Sequence, residues 1–426
     1  MSEAVAKFAG VEGSLRGLLV LELCGDEPSG TFGTQILSDL GATVIKIERP
    51  PQAEPQPTAE PQDGKVRADI AYMFGLNRNK RSLCLDLKDE RGVAVVRDLV
   101  RIADVVYDNY KPGVMQRLGL DAESLRTINP DIIACSVSGF GHSGPWSQLP
   151  AYDATVQALG GGMSITGTGE EGSPPVRWGN PIGGIAGALY AVIGVLAALR
   201  RRRRDHRGAT LDIALLDAQL AMNAYRVPPA MAGVKYAASP RRGGSGALPY
   251  GPFKAADGRW FVLGITRQFW ATAANVLGHP EWTNDPRFKT EQDRQANEDQ
   301  LNALVGEAMQ AHDADEWQRR FVAAGIPGAK VTTIPEAFEH PHVALRDMLV
   351  SFDHPVGRHL KVAGNPVKMS SHPFNGFRHA PGLGADTRGI LGELLGLDAA
   401  SMDVLRELGV VWWPNEGEVF DRPSVV

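Results

Sequence analysis

The 426-residue chain is poor in cysteine, with three in all. Cys24, Cys84 and Cys135 lie far apart in apolar runs. An odd number of scattered thiols excludes a disulfide framework and offers no metal-ligand spacing, so buried reduced thiols are expected. His142, His340 and His342 likewise stand away from cysteines and carboxylates at ligand spacing, and no metal is expected. Neither sign of charge dominates. A formal net charge of −5 gives no global pull toward nucleic acid or an anionic membrane. The first seventeen residues lack a basic segment followed by an apolar one, so no secretory signal is expected and a cytoplasmic location is. The fingerprint G-x-G-x-x-G is missing after the first strand-like run, where CGDEPSG stands instead. That argues against a nicotinamide or flavin cofactor. Long apolar runs are scarce. The one from Ile182 to Leu199 holds four glycines and leads into five arginines, Arg200–Arg204. Diluted in this way it reads as a buried helix rather than a membrane span. The arginines read as solvent-facing cations at a helix end rather than as a nucleic-acid contact.

What is present is ordinary soluble composition, 43% hydrophobic and 22% charged, at a length that favours two domains. Apolar runs at 17–24 and 42–49 flank a helical stretch, the opening unit of a parallel sheet. Residues 50–68, rich in Pro and Gln, read as a long exposed loop. A strand at 82–87, a helix at 88–102, a strand at 104–110, a helix at 112–127 and a strand at 131–138 continue the rhythm of a Rossmann-like α/β sheet. A helix over 182–204 and a strand over 209–215 follow. Composition shifts near Arg226. Beyond it come a Gly-rich loop at 239–253, a hairpin at 253–263, helical segments at 267–277 and 295–312, and a helix-then-strand at 316–331. Residues 345–370 read as short antiparallel strands. The last 45 residues read as two helices that pack back on the first domain. The expected division is a large domain over 1–225, a small one over 226–340, and a return over 341–426.

The stretch with the most unusual chemistry is 149–184, LPAYDATVQALGGGMSITGTGEEGSPPVRWGNPIGG. A Tyr-Asp pair, Tyr152-Asp153, opens a short amphipathic segment that ends in three glycines. After a Pro-rich loop, Gly179-Asn180-Pro181-Ile182 precedes the long apolar helix. Glycine at such junctions lets backbone approach a ligand, and helix starts offer free N–H groups to anions.

The chain resembles the family III CoA-transferases and their relatives, the α-methylacyl-CoA racemases. The matching landmarks are LSDLGATVIKIE ending at Glu48, N-x-N-K-R-S-x-x-L-D-L-K at 77–88, and A-D-V-x-x-x-N-x-x-P-G at 103–113. They continue with L-x-x-x-N-P-x-I-I at 125–133, G-F-G-x-x-G-P at 139–145, A-G-I-P-G at 324–328 and G-x-D-T-R-x-I-L at 384–391. They run in order along nearly the whole chain. The resemblance implies an α/β protein with a large Rossmann-like domain made from both chain ends, a smaller inserted α+β domain, and two chains threaded through each other as an interlocked dimer. It implies coenzyme A and acyl-CoA as substrates, with no tightly bound cofactor. Arg49, Leu85, Lys88, Asn109, Tyr110 and Arg117 become the implied CoA contacts, since phosphates call for guanidinium forks and mobile ammonium charges.

The implied chemistry is covalent. A carboxylate attacks the thioester, and glycine-loop amides, here matching Gly244 and Gly246, hold the developing charge. In the register that Tyr152, Gln157 and the glycine run support, Asn180 stands where the family has its aspartate nucleophile. An amide has the same shape without the charge. The racemase chemistry, which needs two acid/base groups, meets Tyr152 and Asn180 instead. Several readings stay open. Asp153 can serve as an alternative carboxylate, or it can be a structural cap. The chain can be the aspartate-lacking subunit of a heteromer with a homologous, Asp-containing chain, as the benzylsuccinate CoA-transferases are, or a CoA-binding subunit without turnover. Asn180 can also be an engineered substitution. The acid partner is a small carboxylic acid whose identity is not legible; Trp146, Met163 and Trp178 hint at a bulky one.

Overall fold

A computed structural model describes residues 2–25, 27–51, 68–236, 238, 248–354, 358–372, 376–415 and 418. The chain divides into two compact units. The first comprises Met1–Gly162, Arg177–Val234 and Pro341–Val426, and the second Met163–Val176 and Lys235–His340. Residues 226–234 thus associate with the first unit, and 163–176 with the second.

The first unit opens with α1 (Ser2–Lys7), β1 (Leu19–Leu23), α2 (Pro28–Asp39), β2 (Thr43–Glu48), α3 (Ala68–Leu76) and β3 (Arg81–Leu85). It continues with α4 (Glu90–Val100), β4 (Val105–Asp108), α5 (Val114–Leu118), α6 (Ala122–Ile128) and β5 (Ile133–Ser138). Then come α7 (Asp153–Leu159), α8 (Ile182–Asp205), β6 (Ala209–Ala214), α9 (Leu215–Ala221) and α10 (Val227–Met231). Strands β1 to β6 are parallel and lie in the order β3-β2-β1-β4-β5-β6. Such strands are covered on both faces, which is why they read as unbroken apolar runs. On one face Leu21, Val96, Leu99, Val106 and Leu125 form a core; on the other Val20, Leu37, Val44, Tyr107 and Val195 do.

One expected helix is two. Gly119 takes φ +62 and ends α5, and the Asp121 carboxylate then caps α6 by accepting from the amides of Glu123 and Ser124. A left-handed glycine followed by an acidic cap is a stop and a restart. Helix α8 is long and apolar enough to cross a membrane. Here it lies against α2, β5, β6 and α9 and buries a stripe of Gly, Ala and Val. Of its terminal arginines, Arg202 reaches back to Asp104 at 2.5 Å, while Arg201 and Arg204 pair with Asp205.

In the second unit β7 (Tyr250–Lys254) and β8 (Trp260–Gly264) form the expected hairpin, and β9 (Gly328–Lys330) adds an antiparallel third strand. Helices α11 (Trp270–Val276), α12 (Glu291–Ala296), α13 (Glu298–Ala308), α14 (Ala314–Ala323) and α15 (Ile334–Glu339) belong to it. Its core gathers Phe253, Phe261, Trp270, Trp317 and Phe321.

The chain then returns to the first unit through α16 (Pro341–Leu345) and the antiparallel pair β10 (Leu349–His354) and β11 (Arg358–Ala363). Helices α17 (Thr387–Gly389) and α18 (Ala399–Glu407) precede a strand the sequence did not announce, β12 (Val411–Trp412). It pairs antiparallel with β3 through Val411↔Leu85 and Trp412↔Cys84. The D-T-R stretch is a clasp for the same strand. Asp386 accepts from Arg81 Nη1 and the Ser82 amide, and Thr387 Oγ1 accepts from the Cys84 amide at 3.0 Å. All three cysteines are buried and free of disulfides.

Candidate functional site

The sheet order places a topological switch point between β1 and β4. The chain first builds outward through β2 and β3, then crosses to the other side of β1. Ligands of open parallel sheets bind outside the carboxyl ends of strands at such a point. Here the carboxyl ends of β1 and β4 are tied together by the Gly25 amide, which donates to Asn109 Oδ1 at 3.0 Å.

The start of α2 sits over this crevice, and no side chain caps its first turn. Only a glycine fits at its third position. A Cβ on Gly30 would lie 2.7 Å from Cys24 Sγ and 2.9 Å from Asn109 Nδ2. The start of α8 is in contact with that of α2, since a Cβ on Gly184 would lie 3.5 Å from the Ser29 amide nitrogen. Two helix N-termini therefore meet beside the strand ends, an arrangement that favours negative charge.

A buried ion cluster lies on the neighbouring strands. Glu22 on β1 accepts from Lys46 Nζ at 3.0 Å and Lys80 Nζ at 2.8 Å, all three fully or almost fully buried. Lys80 Nζ also donates to Thr31 O, and Thr31 Oγ1 donates to Gly25 O, which connects the cluster to the first turn of α2. Burial raises the Glu22 pKa, but the two lysines outweigh it and hold the carboxyl at about 2. Burial pushes Lys80 down to about 8 against the pull of Glu22.

The turn before α8 is held from α7. Gln157, 2% exposed, donates through Nε2 to Asp153 Oδ2 at 2.6 Å and to Asn180 O at 3.4 Å, and its Oε1 accepts from the Trp178 amide at 2.9 Å. Asp153 Oδ1 accepts from the amides of Gly183 and Gly184 at 2.8 and 3.2 Å. The carboxylate therefore caps α8 from a different helix, although it begins α7 itself. Asn180 is exposed on this turn, and Tyr152 is exposed one residue before α7.

The implied CoA contacts are placed unevenly. Arg49, exposed, follows β2; Asn109 and Tyr110, half-buried, follow β4. Lys88 and Arg117 are exposed cations, beyond β3 and on α5. Leu85 is different. Its side chain is 1% exposed inside the core, so it offers a ligand nothing beyond main chain. Gly244 and Gly246 lie outside the described residues. The structure thus brings together Asp153, Gln157 and the Asn180 turn at the start of α8, and Arg49, Asn109 and Tyr110 at the strand ends. The start of α2 adjoins Asn109 on one side and the start of α8 on the other.

Sequence reasoning missed the Glu22–Lys46–Lys80 cluster. Part of its signal was there, a charge flanked by apolar residues in each of the runs LVLEL and TVIKIE, Glu22 and Lys46. It also missed a second chain of polar groups on β4 and β5. Asp108 Oδ1 accepts from Ser136 Oγ at 3.0 Å and from the Tyr110 amide at 3.2 Å, and His142 Nε2 lies 2.7 Å from Ser136 Oγ. Burial raises the Asp108 pKa to about 7 despite both donors. Among the described residues no group of three His, Cys, Asp or Glu is placed to hold a metal ion.

Comparison with known proteins agrees with this architecture. The model of CoA-transferase family III matches residues 15–387. A succinyl-CoA:glutarate CoA-transferase of Homo sapiens is 32% identical over 397 residues, covering 93% of this chain and 90% of that protein. An acetyl-CoA:oxalate CoA-transferase of Acetobacter aceti is 36% identical over 365 residues, covering 85% of this chain and 90% of that protein. Among solved structures, a CAIB/BAIF family protein from Brucella suis superposes with a TM-score of 0.78 at 32% identity, covering 90% of this chain and all of that one.

Proposed function

The chain belongs to CoA-transferase family III, and on that premise we propose that it moves CoA between a succinyl-CoA-type thioester and a small dicarboxylic acid as one of two homologous subunits. The exchange is R–CO–SCoA + R′–COO⁻ → R–COO⁻ + R′–CO–SCoA, with CoA a substrate and no resident cofactor. The dicarboxylate preference is drawn from relatives that carry succinyl-CoA, glutarate and citramalate in their names.

The observation that carries the heteromeric reading is the state of the carboxylates at the start of α8. Asn180 supplies none. Asp153 is committed through both oxygens to two backbone amides and to Gln157. A carboxylate whose lone pairs are engaged by three donors is weakened as a nucleophile. The pocket thus retains its helix starts, strand ends and cations while a homologous chain contributes the attacking carboxylate. In this reading Arg49, Lys88 and Arg117 meet the phosphates, and Asn109 and Tyr110 meet the nucleoside. An apolar face on α8 (Leu189, Tyr190, Ile193, Leu196) is solvent-exposed in the single chain. It is the kind of surface an obligate, interlocked partner covers.

The test is CoA exchange from succinyl-CoA to glutarate or oxalate by the purified chain, alongside calorimetric titration with CoA. The reading expects CoA to bind and exchange to be absent until a homologous chain with the aspartate is co-expressed. Turnover by the chain alone that disappears in Asp153→Asn would instead make Asp153 the nucleophile.

A further inference from the structure

A cavity of about 340 Å³ lies between helices α5 and α6 and strands β4, β5 and β6, with Asp108, Ser136, His142 and Asp212 on its polar side. Val106, Ala134 and Leu125 form an apolar wall. The volume is at the small end of ligand pockets, which run from roughly 300 to 1,000 Å³. The lining acids differ in what they have left to offer. Asp121 is spent on capping α6, and Asp212 Oδ2 accepts the His142 amide at 3.0 Å. Asp108 is 6% exposed, and all its donors reach Oδ1; Oδ2 has no hydrogen-bond partner among the described residues. Arg126, which also lines the cavity, donates to Thr210 Oγ1 at 2.6 Å, and among the described residues no cation acts on Asp108.

The hydrogen-bond chain fixes a direction. A serine hydroxyl has one proton, and Ser136 gives it to Asp108, so the contact with His142 is a donation from Nε2–H to Ser136 Oγ. Asp108 is therefore oriented by a relay reaching the surface at His142, with one oxygen left over on the cavity side. A nearly buried carboxylate without a counter-charge is costly, and a ligand that brings the charge removes that cost.

We propose that this cavity is a second ligand site, distinct from the CoA crevice, that takes a small organic cation with an ammonium or amidinium head on Asp108 and an apolar body against Leu125 and Val106. A bare metal ion does not fit, because no three His, Cys, Asp or Glu among the described residues are placed to hold one. Of the lining acids Asp108 alone is buried, with Asp121 half-buried and Glu123 and Asp212 exposed.

The experiment uses the full chain, with benzylamine as probe and benzyl alcohol as its neutral match, read by calorimetry and by the shift in melting temperature at pH 8. Saturable binding of benzylamine and none of benzyl alcohol is expected. Asp108→Asn should weaken it by about tenfold or more, the worth of one charge-assisted hydrogen bond. Leu125→Trp, which fills the cavity and leaves Asp108 in place, should abolish it. Saturating CoA should leave the benzylamine affinity unchanged. Equal affinity in Asp108→Asn, no saturable binding by the unsubstituted chain, or displacement of benzylamine by CoA would each overturn the proposal.

Discussion

Two carboxylates on adjacent strands of one sheet have opposite fates. Glu22 on β1 and Asp108 on β4 are both nearly inaccessible, yet the first is held at about 2 and the second pushed up to about 7. Burial acts in the same direction on both. The difference is the company: Glu22 has two ammonium groups and two threonine hydroxyls, whereas Asp108 has a serine, a backbone amide and no cation. Neutral donors do not offset desolvation; a full opposite charge does. A carboxylate compensated from within serves the scaffold, while one left uncompensated is available to something from outside.

The sharpest way to break this contrast is to strip Glu22 of its charge. Glu22→Gln removes the buried carboxylate that Lys46 and Lys80 share and is expected to cost about 3–5 kcal/mol, measured by urea unfolding. Adding Lys80→Met should recover part of that loss. The pH dependence has a definite sign. Because the folded pKa of Glu22 lies below its ordinary 4.5, its contribution is present above that value and fades as pH falls toward 2.

Asp108 runs the other way. Its folded pKa exceeds the ordinary 3.8, so the folded state holds the proton more tightly and stability declines as pH rises from about 4 to about 7. Asp108→Asn removes the ionisation. It should raise stability at pH 8 by about 1–3 kcal/mol and leave it nearly unchanged at pH 4, read as melting temperatures at the two values. An unchanged difference between the two pH values in Asp108→Asn would show that burial is not what sets this group apart.

Asp153 makes a third case, a half-buried carboxylate satisfied by amides. Asp153→Ala should cost about 1 kcal/mol, the usual worth of a lost helix cap. The loss should be accompanied by faster amide exchange at Gly183 and Gly184.

Much of this was legible in the chain. Apolar runs marked β1 to β6 because strands covered on both faces need them, and the long Gly/Ala/Val pattern marked α8. Other features left weaker traces. The break at Gly119 interrupts an otherwise helical pattern by one residue, and β12 is two residues long, too short for any periodicity. At the site, Asp153 could be read as cap or as nucleophile from sequence, because the Gly183 and Gly184 amides it binds lie thirty residues away. Leu85 was a ligand contact by resemblance alone, and the sequence does not tell that its side chain on β3 lies in the core, which leaves main chain to meet a ligand. The Asp108–Ser136–His142 relay joins residues on two strands and a loop, a proximity only the sheet register creates.

The pairing of β12 with β3 also has a consequence for how the molecule is made. Strand β3 is complete by residue 85, but among the described residues its outer edge pairs with 411–412 and is clasped by Asp386 and Thr387. A ribosome must therefore polymerise more than three hundred further residues, including the whole second unit, before the sheet's edge is closed. Throughout that interval β3, paired with β2 on one side, lacks its β12 partner on the other, the kind of edge that recruits other strands. The tail acts as a final seal in time as well as in space.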